Sequence, residues 1–319
     1  MALSQAIQER GRGRYAGTPS ENPAWGWKDI LLRVWKNIGE DRVLLVAAGV
    51  TFYCLLAIFP AIAALVAIYG FFTDPANISA QVDKLSGVMP GGALDVIRNQ
   101  MNMVASQGAS NLGVAFIIGF FISLWSANAG IKSIFDALNL VYDEPEKRGL
   151  IRLNLVSLAF TVAAIVFILI AGACIAALPA IASSQLQGAT ALIVQTVRWP
   201  ILFVIIAVGL AFVYRYGPSR AEPQWRWITW GSAFAAIAWI AVSIGFSWYA
   251  ANFGSYNKTY GSLAAIVVFM MWLWLSIGVI LIGAELDAEL EHQTARDTTA
   301  GGGKPNRSES GTRPISNFD

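Results

Sequence analysis

Six stretches of this 319-residue chain contain no Asp, Glu, Lys or Arg: residues 43–73, 99–131, 153–197, 199–214, 227–257 and 259–284. A helix crossing the bilayer core needs about 20 predominantly apolar residues, so charge-free runs of this length point to lipid as the solvent. Only 13% of the residues are charged, about half the roughly 25% of a soluble domain. The run 153–197 is too long for one crossing and is broken by Pro179 and by Ser183-Ser184-Gln185. The pattern predicts an all-α, polytopic integral membrane protein with six transmembrane helices, at 43–71, 112–134, 151–178, 197–214, 226–249 and 261–284. The first run begins at Val43 and exceeds a signal-peptide core, so span 1 is expected to be an uncleaved anchor.

Basic residues set the expected orientation, because Lys and Arg are retained on the cytoplasmic side. Seven precede span 1: Arg10, Arg12, Arg14, Lys28, Arg33, Lys36 and Arg42. The connection after span 2 carries Lys147, Arg148 and Arg152, and the one after span 4 carries Arg215, Arg220 and Arg226. The alternate connections are poor in basic residues: Lys84 and Arg98 in a long loop, Arg198 at the mouth of span 4, and Lys258. Both termini therefore read as cytoplasmic. Trp225, Trp227 and Trp230 at one end of span 5, with Trp248 and Tyr249 at the other, fit interfacial aromatic belts. Trp199-Pro200 reads as the start of span 4, where a missing N–H costs little. Pro60 is expected to kink span 1.

Outside the spans, residues 1–24 and 293–319 read as disordered cytoplasmic segments, rich in small and polar residues. Residues 25–292 form the membrane domain. Within it, Trp27, Ile30, Leu31, Val34, Trp35 and Ile38 recur at helical spacing opposite Lys28, Asp29, Arg33, Lys36 and Asn37. This is an amphipathic helix, lying in the cytoplasmic interface, packed on the inner ends of the bundle, or both. Segment 74–111 carries two apolar stripes, Ile78, Val82, Leu85 and Leu94, Ile97, Met101, Val104, around Met89-Pro90-Gly91-Gly92. It is expected to form two amphipathic helices capping the outer mouth. The bilayer is the implied partner, with anionic lipids drawn to the basic arm; nucleic acid is not an expected partner.

Polar residues near the spans are the candidates for function, since intramembrane charge is costly. Asn128, Lys132 and Asp136 share a face of span 2, and Asn139 follows. They either line a polar path, or Lys132 snorkels to the interface while Asp136 pairs with it or stands in water. Span 6 ends Gly283-Ala284-Glu285-Leu286-Asp287-Ala288-Glu289. Carboxylates at a helix C-terminus oppose its dipole, so Glu285 is expected to find a cation such as Arg148, Arg152 or Lys132. These residues together make a candidate inner vestibule: Asn128, Lys132, Asp136, Asn139, Arg148, Arg152 and Glu285. Thr51 and Tyr53 near the middle of span 1 either bond the bundle's backbone or touch a substrate. Ala47, Ala48 and Gly49, and Gly231, Ala235 and Ala238, permit close helix packing.

Catalytic constellations are absent from the sequence. There is one His, His292, and two Cys, Cys54 and Cys174. No histidine-rich metal cluster, P-loop or nucleophile elbow is present, so no enzyme activity, cofactor or metal is expected.

The segments AAGVTFYCLLAIFPAIAAL, LWSANAGIKSIFDALNLVYDEPEKR and YGSLAAIVVFMMWLWLSIGVILIGAELDAELE resemble the YihY/BrkB family of bacterial inner-membrane proteins, over residues 27–292. The resemblance implies six membrane helices and no established biochemical activity; the family has been linked by name to virulence and to ribonuclease BN. Members often read GAELN where this chain has Asp287. The functional expectation is a transporter or flippase-like protein for an unknown solute, ion or lipid. The alternative is a non-transporting envelope scaffold or maintenance factor.

Overall fold

A computed structural model describes residues 23–70, 114–185, 189–220, 225–252 and 263–292. The expected outer cap at 74–111, the tail 293–319 and nearly all of the N-terminal arm lie outside these residues. Seven α-helices and no strand occur among the described residues: α1 Ala24–Glu40, α2 Val43–Gly70, α3 Val114–Val141, α4 Leu150–Gln185, α5 Ala189–Tyr216, α6 Trp225–Asn252 and α7 Leu263–His292. The described part of each of the six expected spans falls on one long helix. Among the described residues, three helical stretches are apolar and long enough to cross a membrane, Leu150–Ile168, Ile228–Ala250 and Ile266–His292; α1 with Val43–Ile58, bent by 59° at their break, would make a fourth. The chain is a multi-pass membrane protein whose described residues form helices and their connections.

Two proline expectations change. The α4 backbone stays helical through Pro179 to Gln185, and α5 begins at Ala189, leaving Pro200 in its interior. Proline removes one N–H bond from a helix, whereas unwinding in lipid would leave several backbone groups without partners. Continuing the helix is the smaller loss.

The distribution of side chains is inverted relative to a soluble bundle. Large apolar residues face outward, among them Leu45, Phe52, Trp125, Leu155 and Ile237, while four carboxylates of α7 are buried. An extensive exposed apolar surface with charge inside it is what a lipid-solvated protein presents.

Packing concentrates at the end of the bundle where α1 lies. Val43, Ala47 and Val50 of α2 meet Ala137, Leu138 and Val141 of α3, Tyr214 of α5, Ile228 and Ala235 of α6, and Ile277, Leu281 and Ala284 of α7. Helices α2 and α3, and α6 and α7, make the most extensive pairs. Gly231 and Gly283 allow the second pair to close: a Cβ on Gly231 would stand 2.4 Å from the Gly283 carbonyl, and one on Gly283 would stand 2.6 Å from Ala235 Cβ. The expected small-residue contact at Gly231 and Ala235 is thus present. At the opposite end, Phe246, Phe269 and Trp272 form a separate aromatic cluster.

Candidate functional site

The last turns of α7 carry Glu285, Asp287, Glu289 and Glu291, all at most 5% exposed. At 100° per residue, Glu285 and Glu289 share one face, and Asp287 and Glu291 share another. The dipole at this helix end repels negative charge, so each carboxylate needs donors from elsewhere. Ile30 and Val34 of α1 pack on Leu286 and Leu290, which places α1 against the first face. Arg33 Nε then reaches Glu289 at 2.5 Å and Asn37 Nδ2 reaches it at 2.8 Å. Glu285 also bonds Asn37, and Asp41 and His292 lie within its electrostatic reach. Its second oxygen, Oε2, has no hydrogen-bond partner among the described residues. Glu285 therefore faces α1, not the cations of the α3–α4 connection.

The second face is closed by the α5–α6 connection. Arg220 pairs with Glu291 at 2.7 Å, both side chains at most 1% exposed. The same guanidinium donates to the Tyr214 carbonyl at 2.9 Å and lies 4.0 Å from the centroid of the Tyr142 ring. Asp287 Oδ1 accepts from the Gly231 N–H at 2.8 Å. The Tyr214 hydroxyl donates to the Ile280 carbonyl at 2.6 Å. Asp287 Oδ2 and the Tyr142 hydroxyl are buried with no partner among the described residues.

A third group forms where α3 ends. Asp143 takes φ 51°, and the Glu144 N–H returns to the Asn139 carbonyl at 2.8 Å, the six-to-one bond of a Schellman ending. Asn139 then ties two connections together, donating to Glu146 at 3.0 Å and accepting from the Ser219 N–H at 2.7 Å. Arg148 grips Glu146 with two bonds, Nε to Oε1 at 2.8 Å and Nη2 to Oε2 at 2.6 Å. It also donates to the Gly217 carbonyl at 2.7 Å, satisfying the open end of α5. The Arg148 hydrogen bonds hold the Glu146 carboxyl down to about 2. Buried Glu144 pairs with Lys147 at 2.8 Å.

The fourth group is a polar seam between α3 and α4. Lys132 Nζ donates to Asn154 Oδ1 at 2.5 Å and lies 5.5 Å from the centroid of the Trp125 ring. Deeper in, Asn128 is buried beside Thr161 at 3.2 Å. Ser157 lies between on α4, bonded to the Leu153 carbonyl. The Thr161 hydroxyl also donates to the Ser157 carbonyl at 2.9 Å, and one amide atom of Asn128 has no partner among the described residues whichever way the amide is turned. Asp136 and Arg152 are exposed.

The expected vestibule is thus divided. Asn128 and Lys132 share the α3–α4 seam, Asn139 and Arg148 meet through Glu146, and Glu285 lies across the bundle against α1. Thr51 is buried and bonds its own helix at the Ala47 carbonyl, 2.7 Å away, while Tyr53 is exposed edge-on to Phe52. Among the described residues, no group of three or more His, Cys, Asp and Glu is placed to hold a metal ion.

The family model described as Virulence factor BrkB matches residues 34–307. The chain belongs to the BrkB family. Its BrkB-type relatives include the ribonuclease-like protein YfkH of Bacillus subtilis, 28% identical over 82% of this chain and 94% of that protein. A UPF0761 membrane protein of Methylibium petroleiphilum is 24% identical over 90% of this chain and 68% of its own length. One of Rhodospirillum centenum is 30% identical over 84% of this chain and 57% of its own length. No solved structure matches the chain.

In this BrkB-family chain, Asp287, Glu291, Arg220, Tyr142, Glu146 and Asn154 join the candidate site although sequence spacing gives none of them a site role. The i, i+4 pair Asp287 and Glu291 was the available signal, since it defines a second acidic helix face. Its cation stands 71 positions away, in a connection where Arg220 counted only toward topology.

Proposed function

We propose that this protein crosses the cytoplasmic membrane six times, with both termini inside, and moves a polar or amphipathic solute, such as a lipid headgroup, along the α3–α4 seam. The observation that carries the reading is the row Lys132, Asn154, Ser157, Thr161 and Asn128. It places donors and acceptors along helices whose neighbouring residues Phe121, Ile122, Leu150, Ile151 and Leu155 face outward as lipid-compatible surface. Thr161 lies seven positions along α4 from Asn154, about 10 Å along the axis at 1.5 Å per residue. Polar groups at such depth are expensive and usually mark a route or site. The amide atom of Asn128 that has no partner among the described residues ends the row.

A second reading is a non-transporting envelope scaffold. The buried Arg220–Glu291 pair and the Arg148–Glu146 clasp support it, because both fasten the inner end of the bundle shut. Neither reading includes nuclease chemistry: the sequence has one His, in a position already beside Glu289. The name of the Bacillus subtilis relative carries no ligand set that this chain reproduces.

The deciding experiment is reconstitution of the full chain into vesicles, followed by fluorescent-headgroup lipid translocation and solute flux. On the transport reading, Lys132→Ala and Asn128→Ala leave a folded protein and slow translocation about tenfold. The reading fails if loaded vesicles translocate neither lipids nor solutes faster than empty ones. It also fails if both variants fold and complement a deletion strain as wild type does.

A further inference from the structure

Helix α1 is apolar on two opposite sides. Ile30 and Val34 are covered by α7, and Arg33 and Asn37 beside them are committed to Glu289. On the other side Trp25, Leu31, Leu32 and Trp35 are 57–79% exposed. A helix lying on a water-facing surface would carry polar residues there. Lys28 and Lys36 stand on this outward side, both exposed. Lys28 Nζ lies 5.7 Å from the centroid of the Trp25 ring, and Lys36 makes a loose, exposed pair with Glu40 at 3.4 Å. Neither lysine is absorbed by the bundle.

The surroundings identify what covers the face. The break at Asp41 and Arg42 turns α1 by 59° from the start of α2, so α1 leaves the direction of the spans. The outward face runs on into exposed Leu44 and Leu45 of α2. Trp27 packs on Trp230, their ring centroids 5.8 Å apart. Trp225 and Trp230 of α6 are themselves partly exposed, which sets α1 at the level of an aromatic belt. In the sequence, Arg10, Arg12 and Arg14 precede the helix closely.

We propose that the outward face of α1 binds anionic phospholipid headgroups of the leaflet it meets, with Lys28 and Lys36 on the phosphates and Trp25 and Trp35 sunk at the interface. Tryptophans and leucines supply the buried apolar area that an interfacial helix needs, and the lysines add attraction to anionic lipid. The Arg33 and Asn37 bonds to Glu289 tie the same helix to α7, so leaflet charge bears on the inner end of the bundle. This surface depends on the chain's being a membrane protein and not on whether the α3–α4 seam carries a solute.

The test uses the full chain with Cys54→Ser and Cys174→Ser, carrying Trp35→Cys or, independently, Trp25→Cys. It is placed in nanodiscs of phosphatidylcholine alone or with phosphatidylglycerol as the minor lipid, where both membrane faces are open to a hydrophilic maleimide. Labelling should be about tenfold slower with phosphatidylglycerol, and adding Lys28→Gln with Lys36→Gln should remove most of that difference. Equal protection in both lipids overturns the headgroup contacts. Rapid labelling in both overturns the surface altogether. Protection that appears in detergent at high protein concentration and vanishes on dilution also overturns it, by assigning the face to a second copy of the chain.

Discussion

Arg220 joins three elements at the end of the bundle where α1 lies. Its guanidinium meets Glu291, the Tyr214 carbonyl and the Tyr142 ring in one place. Breaking a buried pair by removing one partner costs about 3–5 kcal/mol, because the other charge stays buried and unpaired. Arg220→Ala should therefore unfold or severely destabilise the protein, whereas Arg220→Met combined with Glu291→Leu should recover much of the loss. Thermal unfolding in detergent compares the two, and equal destabilisation by single and double variants would contradict the pairing. Glu146 makes a separate, pH-dependent contribution. Its folded carboxyl is held down to about 2 by Arg148, below the ordinary 4.5. A depressed folded value means the unfolded chain takes up the proton first as pH falls. The stabilisation is therefore full above pH 4.5 and disappears as pH approaches 2. The difference in melting temperature between wild type and Glu146→Gln should shrink over that window, and a constant difference would exclude the linkage.

The helices themselves were readable because lipid permits few alternatives. Runs without charge longer than about 20 residues become helices in a bilayer, since nothing else satisfies the backbone there. The described part of each run is helical accordingly, although Pro179 and Pro200 lie inside helices and not at their ends. Pairing between elements was much less legible. Glu285 and Lys132 have opposite charge and belong to the one expected vestibule, yet Asn37 bonds the first and Asn154 the second. Spacing along one helix reveals which residues share a face and not which neighbour that face meets. Gly231 shows the same limit: it was readable as small, but its role depends on Asp287 56 positions away. A Cβ there would fall 2.3 Å from Asp287 Oδ1, forcing α6 from α7. Gly231→Ala should cost about 1–3 kcal/mol by overpacking, read as a lower melting temperature, while Gly245→Ala, in open space, should change little.

At the scale of the molecule, the buried charges and the basic connections bear on orientation together. The Asn139–Ser219, Arg148–Gly217 and Arg220–Glu291 contacts join the α3–α4 connection, the α5–α6 connection and the end of α7. Helix α1 joins the same group through Glu289. These four parts therefore lie on one side of the membrane, and three of them are the basic segments expected inside. The opposite assignment would carry all these Lys and Arg residues across the bilayer, against their retention on the cytoplasmic side. We predict that a cysteine at Asp143 or Glu146 is shielded from an impermeant maleimide in intact cells and reacts once the membrane is opened. A cysteine in the 80–105 segment should react from outside. External labelling at 143–149 in intact cells would invert the topology while leaving the contacts among the four parts untouched. The side on which Lys132 opens would then change, and the direction of any movement along the α3–α4 seam would change with it.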